Sequence, residues 1–160
     1  MTTSELTVYI SEFTSCLPLA TKARLLRRGL TKKILPHIKR AMVKILLAED
    51  DDDLRRFLVK ALEKAGHKVS SFAEGLSAFE EIKQDNFDLL LTDIVMPEMD
   101  GIELARRAAE LDPSLKIMFI TGFAAVALNP DSNAPKDAKV LSKPFHLRDL
   151  VDEVNRLMAA

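Results

Sequence analysis

From residue 42 onward, short apolar runs alternate five times with helix-period stripes, and this alternation limits the fold more than any single motif does. Strand–helix repetition of this kind builds a parallel sheet with helices on both faces. The predicted strands are residues 43–48, 68–72, 87–92, 116–121 and 138–141. Those around Leu46, Leu90 and Met118 are apolar on successive residues, as expected when both faces of a strand are covered. Between them, apolar residues recur at helical spacing and define one buried face per helix. The first stripe is Leu54, Phe57, Leu58, Ala61, Leu62 and Ala65, stopped by Gly66 in the position that favours glycine. The second is Leu76, Phe79 and Ile82, and the third Ile102, Ala105, Ala108 and Ala109. The last runs Leu147, Leu150, Val151, Val154, Leu157 and Met158. Between Gly122 and Ala138, Asn129-Pro130 and Ala134-Pro135 predict a fourth helix that is short, shifted or frayed.

The chain therefore divides into a domain at 42–160 and an extension at 1–41. The extension offers no strand and no long amphipathic stripe; a short helix near residues 21–35, closed by Pro36, is the most that it supports, and we expect it to be poorly ordered or partly helical. Met42 would be a natural start for the domain, so an upstream start codon wrongly chosen is one explanation of residues 1–41. The extension holds eight Lys/Arg against Glu5 and Glu12, a net +6, so in a chain of net −1 the remainder carries −7. A basic arm can touch nucleic acid, anionic lipid or an acidic partner, although a solvated tail is the more common meaning of such a run.

At 160 residues there is room for one well-packed domain. The single cysteine, Cys16, excludes an intramolecular disulfide and a thiolate zinc site and fits a reducing compartment. No apolar run approaches the ~18 residues of a membrane span, and no secretory signal opens the chain, so the expected location is the cytoplasm. His37, His67 and His146 lack metal-ligand spacing, and Met96, Met99, Met118 and Met158 read as turn and core packing.

In a doubly wound sheet, ligands bind beyond the carboxyl ends of the strands. There the sequence places Glu49 and Asp50–Asp53 after the first strand, Asp93 after the third, Thr121 and Gly122 at the end of the fourth, and Lys143 after the fifth. Gathered carboxylates repel and stay ionised together only around a cation. Mg²⁺ fits, since it accepts one or two carboxylates plus phosphate oxygens and water. A metal, a hydroxyl and an ammonium around one carboxylate suit phosphoryl transfer to that carboxylate. Taken singly, Asp51–Asp53 read as the start of a helix, where acidic residues interact well with the dipole.

Together these residues resemble the receiver domain of bacterial two-component systems, over residues 42–160. The family's acidic pair falls on Glu49 and Asp50, its phosphoacceptor on Asp93 within residues 91–101, its hydroxyl on Thr121 and its lysine on Lys143 within Lys-Pro-Phe. Thr121 lies 28 positions and Lys143 50 positions beyond Asp93. The resemblance implies a flavodoxin-like five-stranded sheet in order 2-1-3-4-5 and Mg²⁺ held by Glu49, Asp50, Asp93 and the Val95 carbonyl. It implies a histidine kinase or phosphotransfer protein as donor, and a cis Lys143-Pro144 peptide that aims the lysine. Gly101 is expected to supply backbone angles that other residues avoid, in the turn after Asp93.

Three departures bear on output. Val140 stands where the family has its switch aromatic, Gly122 replaces the more frequent alanine, and the proline-containing stretch occupies the place of the fourth helix. The segments at 46–53, 120–123 and 141–145 most resemble the stand-alone CpdR-type receivers of alphaproteobacteria. That resemblance implies a single-domain regulator acting by contact with a downstream protein, a protease complex in the control of regulated proteolysis during the cell cycle. Only three residues follow Leu157, so no C-terminal output domain is expected. Two alternatives are a phosphorelay intermediate or phosphate sink, and a nucleic-acid-binding regulator using the basic arm.

Overall fold

The computed structural model describes residues 42–127, 129 and 131–159, so the expectations for residues 1–41 and for Pro130 lie outside the described residues. Among the described residues five strands and five helices alternate: β1 (Lys44–Ala48), α1 (Asp52–Lys64), β2 (Lys68–Phe72), α2 (Gly75–Gln84), β3 (Leu89–Thr92), α3 (Gly101–Leu111), β4 (Lys116–Thr121), α4 (Ala124–Ala127), β5 (Lys139–Ser142) and α5 (Leu147–Ala159). All strand pairs are parallel, in the order β2-β1-β3-β4-β5. This is the expected flavodoxin-like sheet.

Period-two alternation along the strands divides the core in two. Leu46, Ala48, Leu90 and Phe119 meet Ala78 of α2 and Leu104, Ala105 and Ala108 of α3 on one face. Ile45, Leu47, Leu89, Leu91, Met118 and Ile120 meet Leu58 and Leu62 of α1 and Leu150, Val154 and Leu157 of α5 on the other. Each fully buried leucine or isoleucine here contributes roughly 1.5–3 kcal/mol. The central strands have no outward face, which is why their runs are unbroken.

Local chemistry sets the ends of α1. The Asp51 carboxylate caps it, accepting from the amides of Asp53 (3.0 Å) and Leu54 (2.9 Å), while Asp52 and Asp53 occupy the first turn. At the other end Gly66 takes φ 96°, with Gly66 N–H donating to Glu63 O (2.9 Å) and His67 N–H to Leu62 O (3.1 Å). This is the paired closure that left-handed glycine allows.

The buried stripes are narrower than the sequence pattern predicts. Phe57 (57% exposed), Leu76 (43%) and Leu147 (39%) face solvent. In α1 the buried line runs through Leu58 and Leu62, and Phe57 sits about 100° away from it. In α2 the buried positions are Gly75 and Ala78, leaving Leu76 outside. As expected, α4 is short, with four residues, before the turn in which Ala138 N–H donates to Pro135 O.

The turn after Asp93 is built differently from expectation. The left-handed residue is Glu98, at φ 63°, not Gly101. Gly101 is needed for space, because a Cβ there would lie 1.8 Å from the Asp93 carbonyl oxygen. Its N–H donates to Ile94 O (2.9 Å), closing the turn behind Asp93. Gly75 similarly admits the Met99 carbonyl, 2.3 Å from where its Cβ would be.

Two glycine substitutions separate these cases. Gly101→Ala should lower unfolding stability by about 3 kcal/mol, since backbone would have to move. Gly122→Ala, where a Cβ meets nothing within 4 Å, should be neutral or stabilise by about 0.4–1 kcal/mol through the unfolded chain. Urea denaturation of the two variants measures both.

Candidate functional site

Parallel pairing brings the carboxyl ends of β1, β3, β4 and β5 to one edge of the sheet. Ala48 pairs with Thr92, Thr92 with Phe119, and Thr121 with Ser142, so the residues that follow these strands emerge side by side. The ladder continues one step past the strands: Asp93 N–H donates to Ala48 O (3.0 Å), Glu49 N–H to Phe72 O (3.1 Å) and Lys143 N–H to Thr121 O (2.9 Å). Backbone hydrogen bonds therefore fix the origin of each side chain before any side-chain contact forms.

Asp93 is 8% exposed, and its two carboxylate oxygens have different partners. Oδ1 accepts from the amides of Ile94 (2.5 Å) and Val95 (3.4 Å), and Oδ2 accepts from Lys143 Nζ (2.6 Å). The same ammonium donates to both carboxylate oxygens of Glu49, at 3.2 and 2.9 Å. Glu49 is 1% exposed, whereas Asp50 is exposed. Glu49, Asp50 and Asp93 each present a carboxylate oxygen, all within 4.8 Å of one another. The Lys143–Pro144 peptide is cis, as the resemblance implies.

Thr121 is fully buried at the end of β4, where its Oγ1 accepts from Phe123 N–H (3.1 Å). Val95 places its amide against Asp93 and exposes 55% of its surface. Val140 packs against the α2–α3 side of the core rather than offering an aromatic ring. His67 is buried beyond α1 and His146 precedes α5, so neither joins the cluster; His37 lies outside the described residues.

Burial pushes the Glu49 carboxyl above its ordinary 4.5; the Lys143 hydrogen bond and charge pull it back, and the charge of Asp93 raises it further. Lys143 is subject to the opposite contest. Burial alone would lower it, but the hydrogen bonds and charges of Asp93 and Glu49 outweigh burial and hold the ammonium above its ordinary value. Even so, one ammonium faces three carboxylates. The excess negative charge and the oxygen-only donors fit a hard divalent cation.

Arg55 escaped the sequence reading. From the second turn of α1 it donates to the carbonyl of Glu49 (2.6 Å) and, more distantly, of Asp50 (3.5 Å), and it pairs with Asp52. Its sequence signal, an arginine a few residues after an acidic run, is also what an ordinary helix surface looks like.

A family model described as the response regulator receiver domain matches residues 45–155. The response regulator receiver protein CpdR of Brucella abortus (strain 2308) is 74% identical over 119 residues, 74% of this chain and 99% of that protein. The sensor kinase CckA of the same organism is 37% identical over 118 residues, 71% of this chain, which spans only 12% of the kinase. Among solved structures, a CheY-like receiver domain protein from Methanospirillum hungatei JF-1 matches with TM-score 0.65 and 30% identity, over 74% of this chain and 96% of that one. Thermotoga maritima TrrA in complex with Mg²⁺ and BeF matches with TM-score 0.65 and 26% identity, over 72% and 99%.

Divalent-cation affinity should depend on pH in a direction fixed by Glu49. The metal needs the carboxylate, and burial raises the carboxyl's hold on its proton, so affinity should begin to fall above pH 4.5 as the solution is acidified. Without metal, the sign for folding is the reverse. The folded state binds this proton more tightly than the unfolded state, so Glu49 favours folding below its raised pKa and opposes it above. Calorimetric Mg²⁺ titrations from pH 8 to 5 measure the first effect, and Glu49→Gln should bind at least about tenfold more weakly at every pH.

Proposed function

This chain belongs to the response regulator receiver domain family, and from that premise we propose that it accepts a phosphoryl group on Asp93 from the phosphohistidine of a kinase or phosphotransfer protein. The observation that carries the reading is the Lys143 ammonium bridging Asp93 (2.6 Å) and Glu49 (2.9 Å), with the Asp50 carboxylate in the same cluster. The structure of TrrA in complex with Mg²⁺ and BeF supports the metal, because that protein matches this fold with TM-score 0.65 and 26% identity.

The chemistry follows from the donors. A carboxylate oxygen of Asp93 attacks phosphorus in line, the P–N bond to the donor imidazole breaks, and an acyl phosphate forms. Glu49, Asp50, Asp93 and the Val95 carbonyl would hold Mg²⁺, which offsets charge on the phosphoryl oxygens when bound. The two backbone amides on Oδ1 orient the acceptor carboxylate. Lys143 then follows the new charge, exchanging a carboxylate for a phosphoryl oxygen, and the Thr121 hydroxyl gives another oxygen a donor. Both side chains leave present partners to do so, and that departure starts the change of shape.

We assign the output to protein contact and, on the resemblance to CpdR-type receivers and the 74% identity to the Brucella protein, to regulated proteolysis. The match to a segment of a sensor kinase favours a second reading, in which the phosphoryl group is passed on in a relay. Among the described residues, no helix is long and apolar enough to cross a membrane.

Phosphorylation by a cognate kinase or a small acyl-phosphate donor should require Mg²⁺ and vanish in Asp93→Asn; phosphate retained in that variant would mean a different acceptor. In cells, Asp93→Ala should change the turnover of unstable proteins that the wild type controls. Unchanged turnover, together with transfer from phosphorylated Asp93 to a phosphotransfer protein, would favour the relay.

A further inference from the structure

Glu49 is held at both ends by cations from opposite directions in the chain. Lys143, after β5, takes its carboxylate, and Arg55, in α1, takes its carbonyl at 2.6 Å. The two contacts answer different needs. The lysine leaves the carboxylate once a phosphoryl group arrives, on the reading above, whereas the arginine engages Glu49 through its main chain alone and can stay through every state of the site. From its place on the helix, the Arg55 guanidinium reaches back over the β1–α1 loop to the carbonyls of Glu49 and Asp50, and its other arm pairs with Asp52. Its side chain is only 17% exposed although the partner Asp52 is 65% exposed, so the group is seated against the loop rather than extended into solvent.

We propose that Arg55 is a positioning residue for the divalent-cation site, fixing the backbone from which the Glu49 and Asp50 carboxylates reach the metal. The proposal rests on the metal-site reading given above. Two carboxylates on adjacent residues repel, and a loop free to relax would swing them apart. A planar guanidinium with donors in a fixed fork ties two successive carbonyls and a carboxylate in one rigid geometry; an ammonium on a flexible stem has three donors but does not fix their directions. The arginine also brings a positive charge near a cation site, which works against the metal. The two effects predict opposite signs, so the sign of the change on removing Arg55 decides between them.

The test is calorimetric titration of Mg²⁺ into the full chain as wild type, Arg55→Met, Arg55→Lys and Arg56→Met. Arg56 is the control: its side chain is 69% exposed, lies on the same helix and pairs with the exposed Asp53 at 3.3 Å, so its removal matches the lost charge without touching the loop.

 Arg55→Met should weaken Mg²⁺ binding about tenfold and Arg55→Lys nearly as much, while Arg56→Met leaves the dissociation constant within twofold of wild type. With a small acyl-phosphate donor, the phosphorylation rate of Arg55→Met should return to the wild-type value at saturating Mg²⁺, because the defect lies in holding the metal and not in the transfer. Circular dichroism confirms that each variant is folded before titration, and Arg55→Lys serves if Arg55→Met does not fold. Unchanged or tighter binding in the folded Arg55 variants overturns the proposal, as does full rescue by lysine, which would make charge alone sufficient. If the wild type binds no Mg²⁺, the metal-site reading itself fails, and that outcome is separate from a failure of the Arg55 assignment.

Discussion

The mutual repulsion of three carboxylates, offset by a single ammonium, is the interaction around which this molecule is arranged. Glu49, Asp50 and Asp93 could not be held within 4.8 Å of one another by their own preferences. Glu49 and Asp93 are held because they continue the hydrogen-bond ladders of strands buried on both faces. Lys143 reduces the repulsion without removing it. The remainder is what would favour a cation at the proposed site.

The fold supplies the rigidity that this arrangement needs. Successive residues of β1 enter opposite halves of the core, Leu46 and Ala48 toward α2 and α3, Ile45 and Leu47 toward α1 and α5. Rotation of the strand would take both sets out of their cores at once, so the direction in which Glu49 leaves β1 is set by packing on two sides. The neighbouring Asp93 is fixed in the same way by Leu90 on one side and by Leu89 and Leu91 on the other. Stability and site geometry thus come from the same buried contacts.

Much of this was legible in the sequence because it depends on position along the chain. Strand locations follow from unbroken apolar runs, and strand ends in a parallel sheet are where polar residues collect, so Glu49, Asp50, Asp93, Thr121 and Lys143 stood out by type and place. What escaped depends on contacts across the fold. Phe57 carries the same apolar signal as Leu58, and only the placement of α1 on the sheet puts one outside and the other inside. Gly101 signalled an unusual conformation, but the cause is the Asp93 carbonyl against its Cα, while Glu98 takes the left-handed angle. Arg55 acts on carbonyl oxygens, which every residue has, so no residue pattern marks its targets.

The main chain of Asp93 is fully engaged. Its amide is bonded to Ala48, and its carbonyl accepts from the Thr92 hydroxyl (2.8 Å) with Gly101 packed against it. On the proposed reading, a residue so fastened would work as an anvil: charge delivered to its side chain would not be absorbed by backbone yielding beneath it. The displacement would pass instead to the side chains and loops around it, whose rearrangements run from picoseconds to microseconds, rather than to the sheet, which would have to open locally. On the proposed reading, the strand that carries Asp93 would keep one geometry while the loops around it move.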